Sequence, residues 1–362
     1  MNTKVFIPRD LQMDGIDEHI EKWRSPSNIA LVKYWGKVGH QIPANPSISF
    51  TLKNSYTETE IKFVKKPVES ETIDFELLFE GEKNESFSVK VASYLENIRV
   101  YTPYLKYYRL EINTSNSFPH SSGIASSASG FSALSACLVA FEEKINPEIK
   151  NRIARQKVSF LSRLGSGSAC RSVEGPVMIW GEHEKYRLSD NEVAVVPDLE
   201  LHSNFYEFQD TILLVDKGKK SVSSTVGHAL MEGHPFADKR FEQANENITE
   251  IKEVLQNGDL KRFGEIVENE ALTLHAMMMT STPSYILMKP NTLLVLEAVK
   301  SYREASGNNL YFTLDAGANV HLLYPKSEKK EIMSFVENEL VVYCENQQYI
   351  CDELGLGVEK IN

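Results

Sequence analysis

Two lysines in the first quarter of the chain have a spacing that suits an anion site. Lys33 and Lys37 lie four residues apart within residues 28–52. The residues between them are Tyr34, Trp35 and Gly36. The alternative is a solvated lysine pair on an exposed edge strand, because lysine side chains are mostly exposed. The density of ammonium groups, aromatic rings and glycine within five residues favours anion binding.

A second segment, residues 165–172, has the sequence GSGSACRS. Its backbone N–H groups and hydroxyls could form a nest around an anion, and the Arg171 guanidinium could bind phosphate oxygens with two hydrogen bonds. The alternative is a flexible turn that carries a surface arginine. A serine-hydrolase nucleophile at Ser168 is rejected, because GxSxG requires a second glycine where Cys170 stands.

Small and hydroxyl residues dominate residues 118–134, FPHSSGIASSASGFSAL, which lead without a break into a predicted helix. Backbone N–H groups are free at a helix N-terminus, where the helix dipole also favours phosphate. The segment is neither a Walker A loop nor GxGxxG. A small-residue helix packed closely on a sheet is the alternative, since alanine, serine and glycine also permit close packing.

A fourth segment, residues 313–319, has the sequence TLDAGAN and places Asp315 at the end of a predicted strand. An aspartate beside a small-residue turn is most often structural, because its carboxylate can accept hydrogen bonds from the local backbone. On this segment alone, the structural interpretation is the stronger one. A carboxylate with a role in catalysis is the alternative.

The composition excludes several classes of partner. Lys and Arg number 39 against 50 Asp and Glu, so the net charge of −11 argues against binding to nucleic acid or an anionic membrane. The apolar stretches fall short of the roughly 18 residues that span a bilayer. The N-terminus resembles neither a signal peptide nor a transit peptide. We therefore expect a cytoplasmic protein.

Metal and disulfide chemistry are not indicated by the cysteines and histidines. The four cysteines form no CxxC pair, and no HExxH occurs among the nine histidines. Free thiols in a reducing compartment are therefore expected, and metal ligands cannot be assigned from the sequence. The histidines expected to be structural are His228, His275 and His321.

The elements that must position these residues follow from hydrophobic periodicity, which predicts an α+β fold. The predicted strands, in a mostly antiparallel arrangement, are 57–64, 73–80, 107–114, 211–216, 310–314 and 320–324. The predicted helices are 87–100, 126–144, 147–164, 223–232, 237–256, 260–279, 291–305 and 328–338. A boundary within residues 185–205 gives two domains, 1–195 and 196–362, with the site expected in the cleft between them.

Together, the sequences NIALVKYWGK, PHSSGIASSASGFSAL, GSGSACRS and DAGAN resemble the diphosphomevalonate decarboxylase family of the GHMP kinase superfamily. The similarity runs from about residue 25 to 325, with the motifs in the family's order. KYWGK and GSGSACR are specific, whereas the superfamily's kinases share the phosphate loop. The resemblance implies a two-lobed GHMP kinase-like fold, with a ribosomal protein S5 domain 2-like N-terminal lobe and an α+β C-terminal lobe.

The resemblance also implies a reaction, in which ATP and Mg²⁺ are used to convert 5-diphosphomevalonate to isopentenyl diphosphate in the mevalonate pathway of isoprenoid biosynthesis. By similarity, Asp315 lies next to the substrate 3-hydroxyl, and Lys33 pairs with Asp315. The implied substrate-binding residues are Tyr34, Trp35, Gly36, Lys37, Ser166, Gly167, Ser168, Ala169, Cys170, Arg171 and Thr225. The implied ATP-binding residues are Ser122, Gly123, Ile124, Ala125, Ser126 and Ser127. Ser126 or Ser127 is the candidate Mg²⁺ ligand, and a homodimer is implied.

One position departs from the family's pattern. The family places an arginine ahead of the helix predicted at 87–100, where it helps to bind the diphosphate, and this chain has Ser86 there with Lys83 nearby. A decarboxylase of the 5-monophosphate, a GHMP small-molecule kinase and a non-catalytic ligand-binding relative are therefore kept as alternatives. Retention of both Lys33 and Asp315 favours a decarboxylase.

Overall fold

The structure is a computed structural model that describes residues 1–119, 124–149, 152–218, 222 and 224–361. Within these residues the chain forms an α+β fold whose strands belong mainly to two sheets, as the periodicity predicts. None of the described helices combines the length and the apolar character needed to cross a membrane.

The predicted strands are all present in the described residues, although their ends shift. The strands in chain order are β1 (Glu18–Val32), β2 (Lys37–Val38), β3 (Ile42–Pro43), β4 (Ser47–Lys65), β5 (Phe75–Phe79), β6 (Glu82–Lys83), β7 (Tyr108–Asn116), β8 (Val177–Trp180), β9 (Gln209–Leu213), β10 (Tyr311–Thr313), β11 (Val320–Tyr324), β12 (Tyr349–Glu353) and β13 (Glu359–Lys360). The strands that periodicity did not predict include β1, β8 and β12. The second half of β1 and all of β8 are buried on both faces and therefore do not alternate.

All eight predicted helices are confirmed within the described residues. They are α1 (Glu85–Ile98), α2 (Ser126–Ile145), α3 (Arg152–Gly165), α4 (Ser224–Ala229), α5 (Ala237–Asn257), α6 (Leu260–Thr280), α7 (Pro290–Ser306) and α8 (Lys329–Phe335). Capping explains the sharp ends. Asn84 and Asp259 accept hydrogen bonds from backbone N–H groups in the first turns of α1 and α6, and Gly258 and Gly307 end α5 and α7 in the left-handed conformation.

The first sheet has the order β13-β1-β4-β7-β5-β6, with β8 paired to the first residues of β4. The expected antiparallel pairing holds except between β5 and β7, which are parallel. A parallel pair needs a crossover connection, and α1 supplies it. Helix α2 packs against this sheet and α3 packs against α2, and their shared core includes the fully buried side chains of Phe63, Leu110, Leu138 and Leu161.

The second sheet has the antiparallel order β10-β11-β9-β12. Its β9 and β10 share a core with α7 and α8 that includes Leu213, Val295 and Phe312. The two sheets also meet in one core, where Phe50 of β4 stacks on Phe263 of α6 with the ring centroids 6.0 Å apart. The last strand, β13, returns to pair with β1. The division of the chain into domains 1–195 and 196–362 stays a prediction.

A buried carboxylate joins the two sheets. The β1–β4 register shifts between Pro26 and Asn28, which leaves residues 52–55 of β4 out of the ladder with β1. Asp352 of β12 accepts hydrogen bonds from the backbone N–H groups of Lys53, Asn54 and Ser55 at 2.9, 2.7 and 2.7 Å. Asp352 is only 2% exposed. One carboxylate therefore satisfies three donors that the sheet leaves unpaired.

Replacing this carboxylate should destabilise the protein. We expect Asp352→Asn to lower the free energy of unfolding by about 2 kcal/mol, because an amide cannot accept all three N–H groups. Glu353→Gln is the matched control, since Glu353 forms an exposed ion pair with Lys53 and such pairs contribute about 0–1 kcal/mol. Urea unfolding measures both variants. Equal losses in the two variants would contradict the role of Asp352.

Candidate active site

The candidate site forms where the end of β1 meets the loop after β10. Lys33 directly follows the last residue of β1, and Asp315 lies two residues after β10. The Lys33 Nζ atom is 3.0 Å from Asp315 Oδ1. The Lys33 side chain is 2% exposed and the Asp315 side chain is 27% exposed. The ammonium is therefore enclosed, while part of the carboxylate faces open space.

The electrostatics of Lys33 depend on its neighbours. Burial lowers the pKa of the Lys33 ammonium below its ordinary value, and the negative charges of Asp315 and Glu270 oppose that fall. Without these carboxylates, a buried amine would lose its proton readily. The interpretation of Lys33 as part of an exposed basic edge strand is wrong, because the side chain is enclosed and paired.

The backbone of Lys33 is held by two charged residues that the sequence analysis missed. Glu270 of α6 accepts a hydrogen bond from the Lys33 N–H at 2.8 Å, and Arg240 of α5 donates to the Lys33 carbonyl at 3.0 Å. Both side chains are fully buried and form an ion pair of 2.5 Å. Each of these residues places a charge on the otherwise apolar face of its predicted helix. Because an unpaired buried charge is very unfavourable, that pattern could have indicated a buried ion pair.

The same helix, α6, also contacts the backbone at Asp315. His275 Nε2 lies 3.1 Å from the Asp315 carbonyl oxygen. His275 follows Glu270 by five residues, so both contacts come from neighbouring turns of α6. One rigid element therefore fixes the two ends of the Lys33–Asp315 pair.

Arg171 lies in a six-residue 3₁₀ helix, Gly167–Ser172, and is 3% exposed. Its NH1 group donates to Ser47 Oγ at 2.6 Å, and its Nε atom has no hydrogen-bond partner within the described residues. The hydroxyl of Tyr34 is also buried without a partner in this part of the structure. Buried polar groups are normally paired, so these two atoms retain hydrogen-bonding capacity that a ligand or a water molecule could use. The interpretation of Arg171 as a surface arginine is wrong.

The rest of GSGSACRS is packed tightly beneath Arg171. A Cβ atom on Gly167 would lie 2.9 Å from the Tyr34 hydroxyl oxygen, so only glycine fits there. Ala169 and Cys170 are fully buried, and burial raises the pKa of the Cys170 thiol to about 12. The Ser168 carbonyl accepts a hydrogen bond from the Asn28 side chain at 3.1 Å, which ties the turn to β1.

Residues 34–37 surround a histidine. The rings of Tyr34 and Trp35 pack against His228 of α4, with centroid distances of 4.2 and 4.5 Å. Gly36 has a φ of +100° and donates its N–H to His228 Nδ1 at 3.0 Å. Lys37 is half-buried, and burial lowers the pKa of its ammonium.

Thr225 is exposed on α4, three residues before His228. No hydrogen bond joins its side chain to the other predicted site residues among those that the structure describes. The structure therefore brings Thr225 to the neighbourhood of the site through α4, without a direct contact.

Part of the predicted ATP loop can be located. Ser122 and Gly123 lie outside the described residues. Ile124 is buried, and Ala125 has a φ of +41° as the N-cap of α2. The first turn of α2 begins with Ser126 and Ser127.

The ATP loop and GSGSACRS adjoin each other. Ser127 Oγ lies 3.3 Å from Ser166 Oγ. The two segments that the sequence suggests for anion binding therefore meet at the N-terminus of a 20-residue helix, where the helix dipole favours negative charge.

An open cavity of about 100 Å³ lies beside Ser126 and Ser127. No local pattern in the sequence predicts this cavity, because its walls come from β4, β5, β7, α1 and α2. The walls include Phe87 and Phe131, and Phe87 stacks on Phe79 with the centroids 4.8 Å apart. Aromatic walls next to a helix N-terminus suit a nucleotide base followed by its phosphates.

The position that departs from the family's pattern supplies no cation to this site. Ser86 Oγ donates to Asn84 Oδ1 at 2.9 Å at the start of α1. Lys83 is exposed and pairs with Glu76 at 2.9 Å. Neither side chain forms a hydrogen bond or ion pair with Arg171 or Lys37 in the described residues.

Comparison with known proteins finds the same family over nearly the whole chain. Residues 25–192 match the diphosphomevalonate decarboxylase-like N-terminal domain, and residues 211–357 match the mevalonate 5-diphosphate decarboxylase C-terminal domain. The crystal structure of mevalonate diphosphate decarboxylase from Staphylococcus aureus is 30% identical, with a TM-score of 0.81 over 95% of this chain and 98% of that one.

Two further relatives are similar over most of their length. The structure of MDDEF in complex with MVAPP, AMPPCP and magnesium is 27% identical, with a TM-score of 0.80 over 95% of this chain and 99% of that one. Diphosphomevalonate decarboxylase from Gibberella zeae is 29% identical over 321 residues, which are 84% of this chain and 80% of that protein. The two-lobed fold expected from the resemblance agrees with these structures.

The role of Glu270 can be tested through the titration of Lys33. We expect Glu270→Gln to lower the pKa of the Lys33 ammonium further, because a negative charge that raises this pKa is removed. Breaking the buried pair with Arg240 should also lower the free energy of unfolding by about 3 kcal/mol. The pKa is measured from the Cε chemical shift of Lys33 in an NMR titration.

Glu268→Gln is the control for this variant. Glu268 lies on the same helix and forms an ion pair of 2.6 Å with Arg303, away from Lys33. The Glu268→Gln variant should have a lower free energy of unfolding and an unchanged pKa of the Lys33 ammonium. An unshifted Lys33 pKa in Glu270→Gln would show that Glu270 does not act on the ammonium.

Proposed function

The chain belongs to the diphosphomevalonate decarboxylase family, and we propose that it is an enzyme that converts (R)-5-diphosphomevalonate and ATP to isopentenyl diphosphate, CO2, ADP and phosphate. The reaction would serve the mevalonate pathway of isoprenoid biosynthesis. The observation that carries the proposal is the Lys33–Asp315 pair of 3.0 Å, placed at the junction of the two sheets close to the buried Arg171. This arrangement offers a carboxylate next to an anion site.

The chemistry requires a good leaving group. A tertiary hydroxide leaves poorly, so ATP first phosphorylates the 3-hydroxyl, and departure of the phosphate then allows loss of CO2 from the neighbouring carbon. Asp315 would accept a hydrogen bond from the 3-hydroxyl and align its oxygen with the γ-phosphoryl group. A carboxylate with a pKa of about 4 is a weak base for an alcohol, so alignment contributes more than proton abstraction.

The substrate's anionic groups would be bound by the cationic and N–H groups described above. Arg171 has an unpaired Nε atom, and Tyr34 has an unpaired hydroxyl, in the described part of the site. Together with Lys37 and the backbone of residues 166–171, these groups could hold the diphosphate and the carboxylate. Thr225, on the exposed face of α4, would complete this pocket when substrate is bound.

ATP and Mg²⁺ would bind at the N-terminus of α2. The aromatic cavity would take the adenine, and residues 122–127 would bind the phosphates. Mg²⁺ usually keeps several waters and is bound through phosphates and one or two protein groups, so the hydroxyl of Ser126 or Ser127 is a suitable ligand. The complex of MDDEF with MVAPP, AMPPCP and magnesium supports both co-substrate and metal.

The organisation and location of the enzyme are also proposed. Residues 1–195 and 196–362 would form the two lobes, and two copies of the chain would form a homodimer in the cytoplasm, as the resemblance implies. The free thiols of Cys137, Cys170 and Cys344, which are buried, are consistent with a reducing compartment. Sedimentation equilibrium at micromolar concentration tests the dimer, and a monomer mass would contradict it.

The activity is tested with purified protein, ATP, Mg²⁺ and 5-diphosphomevalonate. CO2 and ADP should be released in equal amounts. ADP without CO2 would favour a kinase, and activity only with 5-phosphomevalonate would favour a monophosphate decarboxylase. Binding of ATP without turnover of any of these substrates would favour a non-catalytic relative.

The role of Asp315 gives a separate prediction. We expect Asp315→Asn to lower kcat by about two orders of magnitude or more while the KM for 5-diphosphomevalonate changes only a few-fold, because the carboxylate acts in the transition state. Asp198→Asn is the matched control, since Asp198 forms a surface pair with Lys252. Unchanged kcat in Asp315→Asn would remove this residue from the mechanism.

A further inference from the structure

His228 contacts three consecutive residues of the segment 34–37, which the proposed function assigns to substrate binding. It lies on α4 between the rings of Tyr34 and Trp35, at centroid distances of 4.2 and 4.5 Å. It is 7% exposed. The aromatic contacts fix the plane of the imidazole, so its two nitrogen atoms have defined directions.

The hydrogen bond from Gly36 sets the tautomer of His228. The Gly36 backbone N–H donates to Nδ1 at 3.0 Å, and Nδ1 can accept this bond only when it carries no proton. The neutral ring therefore carries its proton on Nε2. No described residue accepts a hydrogen bond from this Nε2–H group, and the atom is not fully enclosed, so it can donate to a ligand.

Among the described residues, the charges that act on His228 are those of Lys37 and Arg171. Burial lowers the pKa of the imidazole well below its ordinary value, and the cations Lys37 and Arg171 lower it further. Arg171 also has its unpaired Nε atom, and Tyr34, in contact with His228, has its unpaired hydroxyl. A neutral N–H donor, two cations and a hydroxyl donor are therefore neighbours in this part of the site, and an anionic oxygen is the kind of group that each of them could bind.

We propose that His228 is a substrate-binding residue whose Nε2–H donates a hydrogen bond to an anionic oxygen of the mevalonate moiety, which is either its carboxylate or its phosphoryl group. This inference rests on the proposed function of the same site. The imidazole also anchors Gly36 through Nδ1, so one ring connects the backbone of residues 34–37 to the substrate. The expectation that His228 is only structural would then be incomplete.

Two isosteric variants separate the two nitrogen atoms. His228→Asn places an amide oxygen near the position of Nδ1 and removes the Nε2 donor, whereas His228→Gln places an amide N–H near Nε2 and removes the Nδ1 acceptor. We expect His228→Asn to raise the KM for 5-diphosphomevalonate about tenfold, as for one hydrogen bond to a charged group. His228→Gln should stay within about threefold of the wild type, and the KM for ATP should not change in either variant.

Probe ligands identify the oxygen. Isothermal calorimetry with inorganic pyrophosphate reports the phosphoryl site, and calorimetry with mevalonate, which has no phosphate, reports the carboxylate site. Affinity for one of the probes should fall in His228→Asn and persist in His228→Gln. Equal KM values in wild type and His228→Asn, or equal increases in both variants, would overturn the proposal, because only the Gly36 anchor or ring packing would then matter.

The outcome is distinguishable from a failure of the proposed function. If the wild-type protein releases no CO2 from 5-diphosphomevalonate, the proposed function fails, and the calorimetric comparison still tests whether His228 binds an anionic oxygen. Thermal unfolding of both variants shows whether each is folded at the temperature of the measurements. Loss of affinity for both probes in both variants, with unchanged melting temperatures, would also count against a donor role for Nε2.

Discussion

The buried ammonium of Lys33 is the constraint on which the site depends. An amine that is 2% exposed keeps its proton only if negative charge lies close to it, because burial disfavours the charged form. The nearest carboxylate belongs to Asp315, which is 282 residues away in the chain and follows a strand of the other sheet. The two sheets must therefore be held together at this point, and the shared core and the Asp352 hydrogen bonds do so.

Charge is arranged differently on the two sides of this pair. On the interior side, Glu270 and Arg240 form a buried ion pair that bonds to the backbone of Lys33, and the Glu270 carboxylate also supports the Lys33 ammonium. On the other side, neither Lys37 nor Arg171 forms an ion pair with a carboxylate among the described residues, although the negative charge of Asp315 acts on Arg171. A protein with a net charge of −11 thus carries a local positive site. The global charge disfavours polyanions such as nucleic acid, while a small diphosphate can be bound by a few residues.

Sequence patterns predicted the elements better than the contacts between them. Helices and alternating strands follow from local periodicity, whereas β8 is buried on both faces and has no alternation to detect. The approach of Lys33 to Asp315 followed from resemblance, since no local pattern measures a distance between residues so far apart in the chain. Glu270, Arg240 and the aromatic cavity were missed for the same reason. Each depends on several elements that meet only in the folded chain.

The geometry bears on how Asp315 would act in the proposed reaction. If Asp315 accepted a proton from the 3-hydroxyl, the Lys33 ammonium would lose its paired negative charge while still enclosed. An uncompensated buried charge is unfavourable by about 3–5 kcal/mol, so the ion pair opposes protonation of the carboxylate. A carboxylate that stays ionised can still accept a hydrogen bond from the hydroxyl and direct its oxygen toward phosphorus. The hydroxyl proton is then better transferred to the phosphoryl oxygens as the new bond forms. The enclosed lysine therefore favours a positioning role for Asp315 over that of a general base.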